Sequence, residues 1–424
     1  MNPVEEIVAA VTSDDVRRAS ACLDQHPELR ARLNDALPGL PFEGTLLLAA
    51  VSRQNRSMID LLLQRGADVN QRSHWWAGGF GVLDSDHELT DFLIERGATL
   101  DIHAAARRGK LDAVRTLLDR DSSLAQARGG DGQTPLHVAA NVEIATLLLE
   151  RGARIDARDV DHESTAAQYA IRERQDVVRY LVASGCATDV LMAAALGDSE
   201  LLRRHLDANP ASIATTVSPR WFPMSTSRAG GTIYIWTLGG NKSAHTIARE
   251  FGHENIFQLL MDRSSPLLAL TAACEVADEK LVTSILETHP MAAQAMNAGD
   301  QRKIVDAAET NTTEAVRLML HAGWPVDARG KHGATPLHFA AWHGNVVMAK
   351  HVLEYRPPLE VLDHDFSMTA LGWALHGSLH GSNRDRGDYG GTVEALLDAG
   401  ATLPPNSDGR EMSQEIRAAL DRRA

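Results

Sequence analysis

The 424-residue chain carries 42 basic and 56 acidic side chains, a formal net charge of −14, and 44% hydrophobic residues. This is the balance of a folded chain rather than a disordered one. The acidic excess opposes phosphate backbones, and arginines scattered among acids form no overriding patch, so nucleic acid is excluded as a partner.

The N-terminus, Met1-Asn2-Pro3-Val4-Glu5-Glu6, has no basic segment followed by an apolar run, and no apolar stretch reaches membrane-spanning length. Neither secretion nor a membrane partner is expected. Cys22, Cys186 and Cys274 fall singly on predicted buried helices, which points to a reducing, cytoplasmic setting.

In chain order, residues 1–40 predict an opening helical pair that caps a stack, with Ile7, Val8, Val11, Val16 and Leu23 apolar. Residues 41–218 predict successive helix pairs, interrupted by an irregular loop at 74–83 that begins His74-Trp75-Trp76. One pair is shortened because Asn141 follows almost directly on Ala139-Ala140. Residues 219–240 are rich in aromatics and alternate like a small inserted β-hairpin. Helix pairs resume over 241–403, with a second insertion at 377–391 separating the two helices of the last pair. Residues 404–424 predict a C-terminal capping helix.

Two features repeat along these pairs. Thr134-Pro135-Leu136-His137 and Thr335-Pro336-Leu337-His338 are the same word. Helices of the form Leu-Leu-x-x-Gly recur, with Gly66 and Gly97 31 residues apart and Gly152 and Gly185 33 apart. Thr335 suits a helix N-cap and Pro336 the first helical position, while each closing glycine suits a left-handed C-terminal cap. One helix pair cannot bury its own apolar stripe, so the pattern demands stacking. On these motifs the sequence resembles the ankyrin-repeat family over nearly its whole length. The resemblance implies an all-α ankyrin-repeat solenoid of about twelve helix-turn-helix units with projecting fingers.

The resemblance also implies that His137 and His338 are structural, bonding at the helix start, and that partners bind in the concave groove. Residues before the glycine of each first helix face that groove: Arg107 and Arg108, Glu250 and Phe251, Trp342 and His343, and His376. Trp75, Trp76, Trp221, Phe222, Tyr234 and Trp236 lie in the insertions, and Tyr389 closes the second one. Large aromatics outside a core pattern serve recognition. Trp324 and Trp373 are expected in the core. His245 stands where the family has an apolar residue, which implies a polar network or exposure beside the insertion.

The expected function is that of a cytoplasmic binding protein gripping a protein partner, or a small-molecule ligand, through groove and aromatic insertions. The alternative is an enzyme, a hydrolase or lyase acting on a small polar, sugar-like substrate, with His343, His376, Glu250 and Asp388 as acid and base. No recognised catalytic signature occurs, and no cofactor is expected. His376 and His380 have the spacing of a zinc pair, but Gly377 and Gly381 predict a loop there, so no metal is expected either.

Overall fold

The computed structural model describes residues 2–85, 88–403 and 412–422. The chain forms two compact units, residues 1–205 with 215–242, and residues 206–214 with 243–424. Both are built of paired helices, and the fold is the all-α ankyrin-repeat solenoid that the period predicts. Among the described residues the β structure amounts to one isolated antiparallel bridge, Arg158 to Thr165.

The first unit opens with helices Pro3–Thr12 and Val16–Gln25, whose Ile7, Ala10, Val11, Ala19 and Leu23 are buried. Leu46–Ser52 and Arg56–Gln64 follow, capped by Thr45 and Asn55 side chains that accept backbone N–H groups two to three residues into each helix. Next the usual helix start is replaced by turns, and Arg72 organises them. Its guanidinium donates to Asp84, to Asp101 and to the Gly79 carbonyl, tying the 74–83 loop to the helix Ile102–Arg107. The shortened pair has a single 3-10 turn, Pro135–Val138, before helix Val142–Glu150 begins at Asn141.

Residues 219–240 differ from the expected β-hairpin. No strand forms there; bends lead into one π-helical turn, Ile235–Gly239. Thr232, Ile233, Tyr234 and Leu238 are the buried positions, and three buried residues in succession break the alternation that a half-buried strand requires. Tyr234 anchors the segment by donating its hydroxyl to Asp189, the N-cap of helix Val190–Leu196.

In the second unit the pairs run from Ala244–Glu250 with Glu254–Arg263 to Ala370–His380 with Tyr389–Asp398. One continuous apolar core extends from Ala269 to Ile416. Gly323 ends its helix at φ +102°, the left-handed cap expected of it. Helix Gln414–Asp421 closes the unit, with Glu415 accepting the Gly390 amide; the rest of the predicted cap, 404–411 and 423–424, lies outside the described residues.

The loop expected to begin at Gly377 is a correction. Helix Ala370–His380 runs straight through that position, and the residue is glycine there because a Cβ would stand 2.6 Å from the Trp342 carbonyl oxygen. The glycine serves close packing rather than chain flexibility.

Asn345 shows how neighbouring pairs are joined. Its carbonyl oxygen caps Met348 N–H and its amide donates to Asn311 and Thr313 of the preceding pair, each bond 2.8–2.9 Å. Asn345→Ala is expected to cost about 1–2 kcal/mol in urea denaturation. A loss below about 0.3 kcal/mol contradicts that role.

Candidate binding groove

The repeated Thr-Pro-Leu-His word is the framework of the groove. Thr335 N–H donates to His338 Nδ1 at 3.2 Å, and His338 Nε2 reaches the Met368 carbonyl of the next finger at 3.2 Å. His137 does the same with Thr134 and the Ser164 carbonyl. A ring accepting at Nδ1 and donating at Nε2 is neutral. Burial pushes His137 down to about 4 and lowers His338 as well.

In the second unit this framework supports a groove of about 410 Å³. Its wall is Phe339, Trp342 and Trp373 from two successive first helices, with Phe366 and Met368 from the finger between them. Trp373, 5% exposed, is both core and wall: its indole N–H donates to Asp363, and Phe339, Trp342 and Phe366 meet it edge-on at 5.3–6.3 Å. Burial opposes the charge on Asp363, but backbone amides of Phe366, Met368 and Asp365 together with the Trp373 indole hold its carboxyl below the usual range. This carboxylate fixes finger and wall together.

The rim is polar. Lys331 pairs with Glu309 at 3.1 Å, and His332 Nδ1 meets Asp365 at 2.6 Å. His376 lies stacked on Trp342 with centroids 5.9 Å apart, and burial and the nearby His380 lower its affinity for a proton. His343 also lines the groove, but its Nε2 is bonded to the Glu309 carbonyl and its Nδ1 to the Asn383 amide.

The structure therefore brings together Trp342, His343 and His376 from the residues singled out by sequence. It does not bring the acid-base set together. Asp388 accepts the Gly391 amide as the N-cap of helix Tyr389–Asp398, Glu250 lies in an earlier repeat outside the groove lining, and His343 has both ring nitrogens engaged. Phe251 sits with Glu250, at its C-cap. Tyr389 is a correction: it is fully buried, donating its hydroxyl to the Trp342 carbonyl at 2.8 Å, and presents nothing to a ligand. Tyr234, likewise fully buried, is an anchor rather than a contact surface.

The remaining candidates belong to the first unit. Trp75 and Trp76 are half-buried, Trp75 with Phe42 against its edge at 5.3 Å and its indole N–H on Asp131. Arg228 of the 219–240 segment lies over Trp76 at 4.7 Å. Phe222 packs against Tyr234, Trp221 is half-buried, and Trp236 is 71% exposed. Arg107 and Arg108 are half-buried, Arg108 donating to the Ser85 carbonyl. His245 is fully buried, with Nε2 on the Ser264 hydroxyl, so a polar contact rather than exposure accounts for it.

Sequence reasoning passed over Lys331, His332, Phe366 and Met368, because finger residues have no helical period to place them. It also passed over the acids and histidine that meet in the first unit, Asp131, Asp161 and His162, the three described side chains with donor atoms close enough to share a metal ion.

Comparison with known families agrees with this architecture. Residues 80–159 and 102–192 match a family described as ankyrin repeats (3 copies), residues 304–355 one described as ankyrin repeats (many copies), and residues 44–74 the single ankyrin repeat. Among curated proteins, the mouse (Mus musculus) ankyrin repeat and SAM domain-containing protein 6 is 30% identical over 118 residues, a stretch covering 24% of this chain and 13% of the mouse protein.

Proposed function

Because the chain belongs to the ankyrin-repeat family, whose repeats are typically protein-interaction modules, we propose that it is a cytoplasmic binding protein whose second-unit groove takes an apolar side chain from a protein partner. The carrying observation is the aromatic wall of Phe339, Trp342, Phe366 and Trp373 around about 410 Å³, enough for one large side chain and its flanks. An aromatic-walled pocket with a polar rim is the usual form of an interaction hot spot. The net charge of −14 favours a partner whose flanking residues are basic. The three cysteines, each free and buried, suit a reducing compartment, and no helix among the described residues is long and apolar enough to cross a membrane.

Trp342→Ala is the direct test, since Trp342 is half-exposed and its removal leaves Trp373 to hold the core. Peptides selected from a displayed random library on the full chain are expected to share an apolar anchor and to bind the variant at least about tenfold more weakly. Selected peptides that bind Trp342→Ala as tightly as the parent sink the reading. His289→Ala, exposed at the C-cap of helix Glu279–Thr288 and outside the groove lining, serves as the unchanged control.

A further inference from the structure

The two units carry the same finger words with different side chains. Arg128-Gly129-Gly130-Asp131-Gly132 matches Arg329-Gly330-Lys331-His332-Gly333, and Asp159-Val160-Asp161-His162 matches Asp363-His364-Asp365-Phe366. The scaffold is shared in detail. Arg128 donates to the Gly132 and Arg158 carbonyls, as Arg329 does to Gly333 and Leu362. Asp159 accepts backbone amides of its own finger, as Asp363 does.

At the tips the chemistry diverges. In the second unit, His332 faces Asp365 at hydrogen-bond distance, a complementary pair. In the first unit the position of His332 is held by Asp131, so a carboxylate faces the Asp161 carboxylate, and His162 replaces Phe366 beside them. Asp131, Asp161 and His162 each offer one ligand atom, and these atoms lie within 4.8 Å of one another.

His162 supplies the independent observation. Its side chain is 10% exposed, and its Nδ1 is fixed on the Gly231 carbonyl at 2.8 Å, which requires the proton there. Its Nε2 points at Asp161 Oδ2 and Asp131 Oδ2 from 3.5 and 3.9 Å, and among the described residues no hydrogen bond reaches it. A charged imidazolium–carboxylate bond would close to about 2.7–2.9 Å. Donors held at about 2.0–2.1 Å from a tetrahedral ion stand about 3.4 Å from one another. The carboxylates are also oriented from behind: Trp75 donates to Asp131 Oδ1 and the Gly230 amide to Asp161 Oδ1, leaving both Oδ2 atoms turned to the imidazole. A carbonyl on the far ring nitrogen and donors on the far carboxylate oxygens are the supports that metal-binding residues have.

We propose that Asp131, Asp161 and His162 bind a divalent first-row transition cation, with zinc as the probe, and so lock two fingers to the 219–240 segment. The donor set of one imidazole and two carboxylates suits zinc and its neighbours in the row, and three protein ligands leave a position for water. The backbone already brings the fingers into register, since the Asp131 carbonyl accepts the Val160 amide at 2.8 Å and the Asp161 carbonyl accepts the Gly230 amide at 3.0 Å.

The experiment is calorimetric titration of zinc chloride into the full chain after dialysis against a chelator. One equivalent is expected to bind per chain, with affinity at least tenfold weaker in Asp131→Asn and in Asp161→Asn, and unchanged in His289→Ala, an exposed histidine at the C-cap of helix Glu279–Thr288. Far-UV circular dichroism of the near-isosteric Asn variants checks that they are folded. No stoichiometric binding by the parent overturns the proposal. So does binding that survives both Asn substitutions but is lost in His376→Ala, which moves the ion to the His376–His380 pair, whose rings are 4.5 Å apart.

Discussion

Tyr389→Ala is expected to destabilise the C-terminal repeats by about 3–5 kcal/mol, the usual cost of deleting a buried aromatic ring. The ring lies in a slot whose walls are glycines. A Cβ added at Gly344, Gly377, Gly381 or Gly387 would stand 2.8–3.1 Å from the Tyr389 side chain. No side chain on those walls can move in to fill the void, so the cavity persists. Tyr389→Phe keeps the ring and loses the bond to the Trp342 carbonyl, at about 1 kcal/mol. Urea denaturation of the parent and both variants measures the series. Equal losses for Ala and Phe would show that the hydroxyl, not the fit of the ring, carries the stability.

The second large effect is acid lability. The folded values of His137 and His245 are pushed down to about 4 by burial, from an unfolded value near 6.5. Below that unfolded value the unfolded chain takes up protons that the folded chain refuses. The contribution is therefore whole above about pH 6.5 and is lost as pH falls to about 4, roughly 3 kcal/mol for each histidine. Glu275 pulls the His245 value up while Lys303 pushes it down; Arg128 and His103 push His137 down. His103 and His338 shift in the same direction through burial. Asp159, Asp189 and Asp306, whose carboxyls are raised by desolvation, act oppositely. The telling measurement is thus a difference: His245→Leu, with Phe257 beside it and no proton to take up, is expected to flatten the stability profile between pH 6.5 and 4.5. Parallel profiles for parent and variant would rule the histidine out as a source.

What the sequence discloses follows from which forces are local. Thr134, Thr335 and the closing glycines act within one or two turns of their own helix, so the helix pairs and their period are legible directly. Trp342 and His343 are legible from their place before Gly344, which ends their helix, and His376 from the same pattern before Gly377, although its helix continues past that glycine. The insertions at 219–240 and 377–391 are less legible because their decisive contacts are distant. Gly377 looks like a loop residue until the Trp342 carbonyl is brought against it, and Tyr389 looks like a surface aromatic until four glycines surround it. Asp131, Asp161 and His162 come from two fingers and are meaningless apart. A signal was nevertheless present: aligning the two Thr-Pro-Leu-His words places Asp131 against His332 and, once a three-residue gap is allowed for the shortened repeat, His162 of the next finger against Phe366.

The histidines of those words give the stack a direction. Each spends its Nδ1 on its own helix start and its Nε2 on a carbonyl 27 or 30 residues ahead. These bonds lean a repeat on its successor, while Asn345 and His343 tie a repeat back to its predecessor. Trimming such a chain from its front leaves the downstream histidines satisfied. Cutting it just after Ala157, by contrast, removes the Ser164 carbonyl that accepts from His137 Nε2.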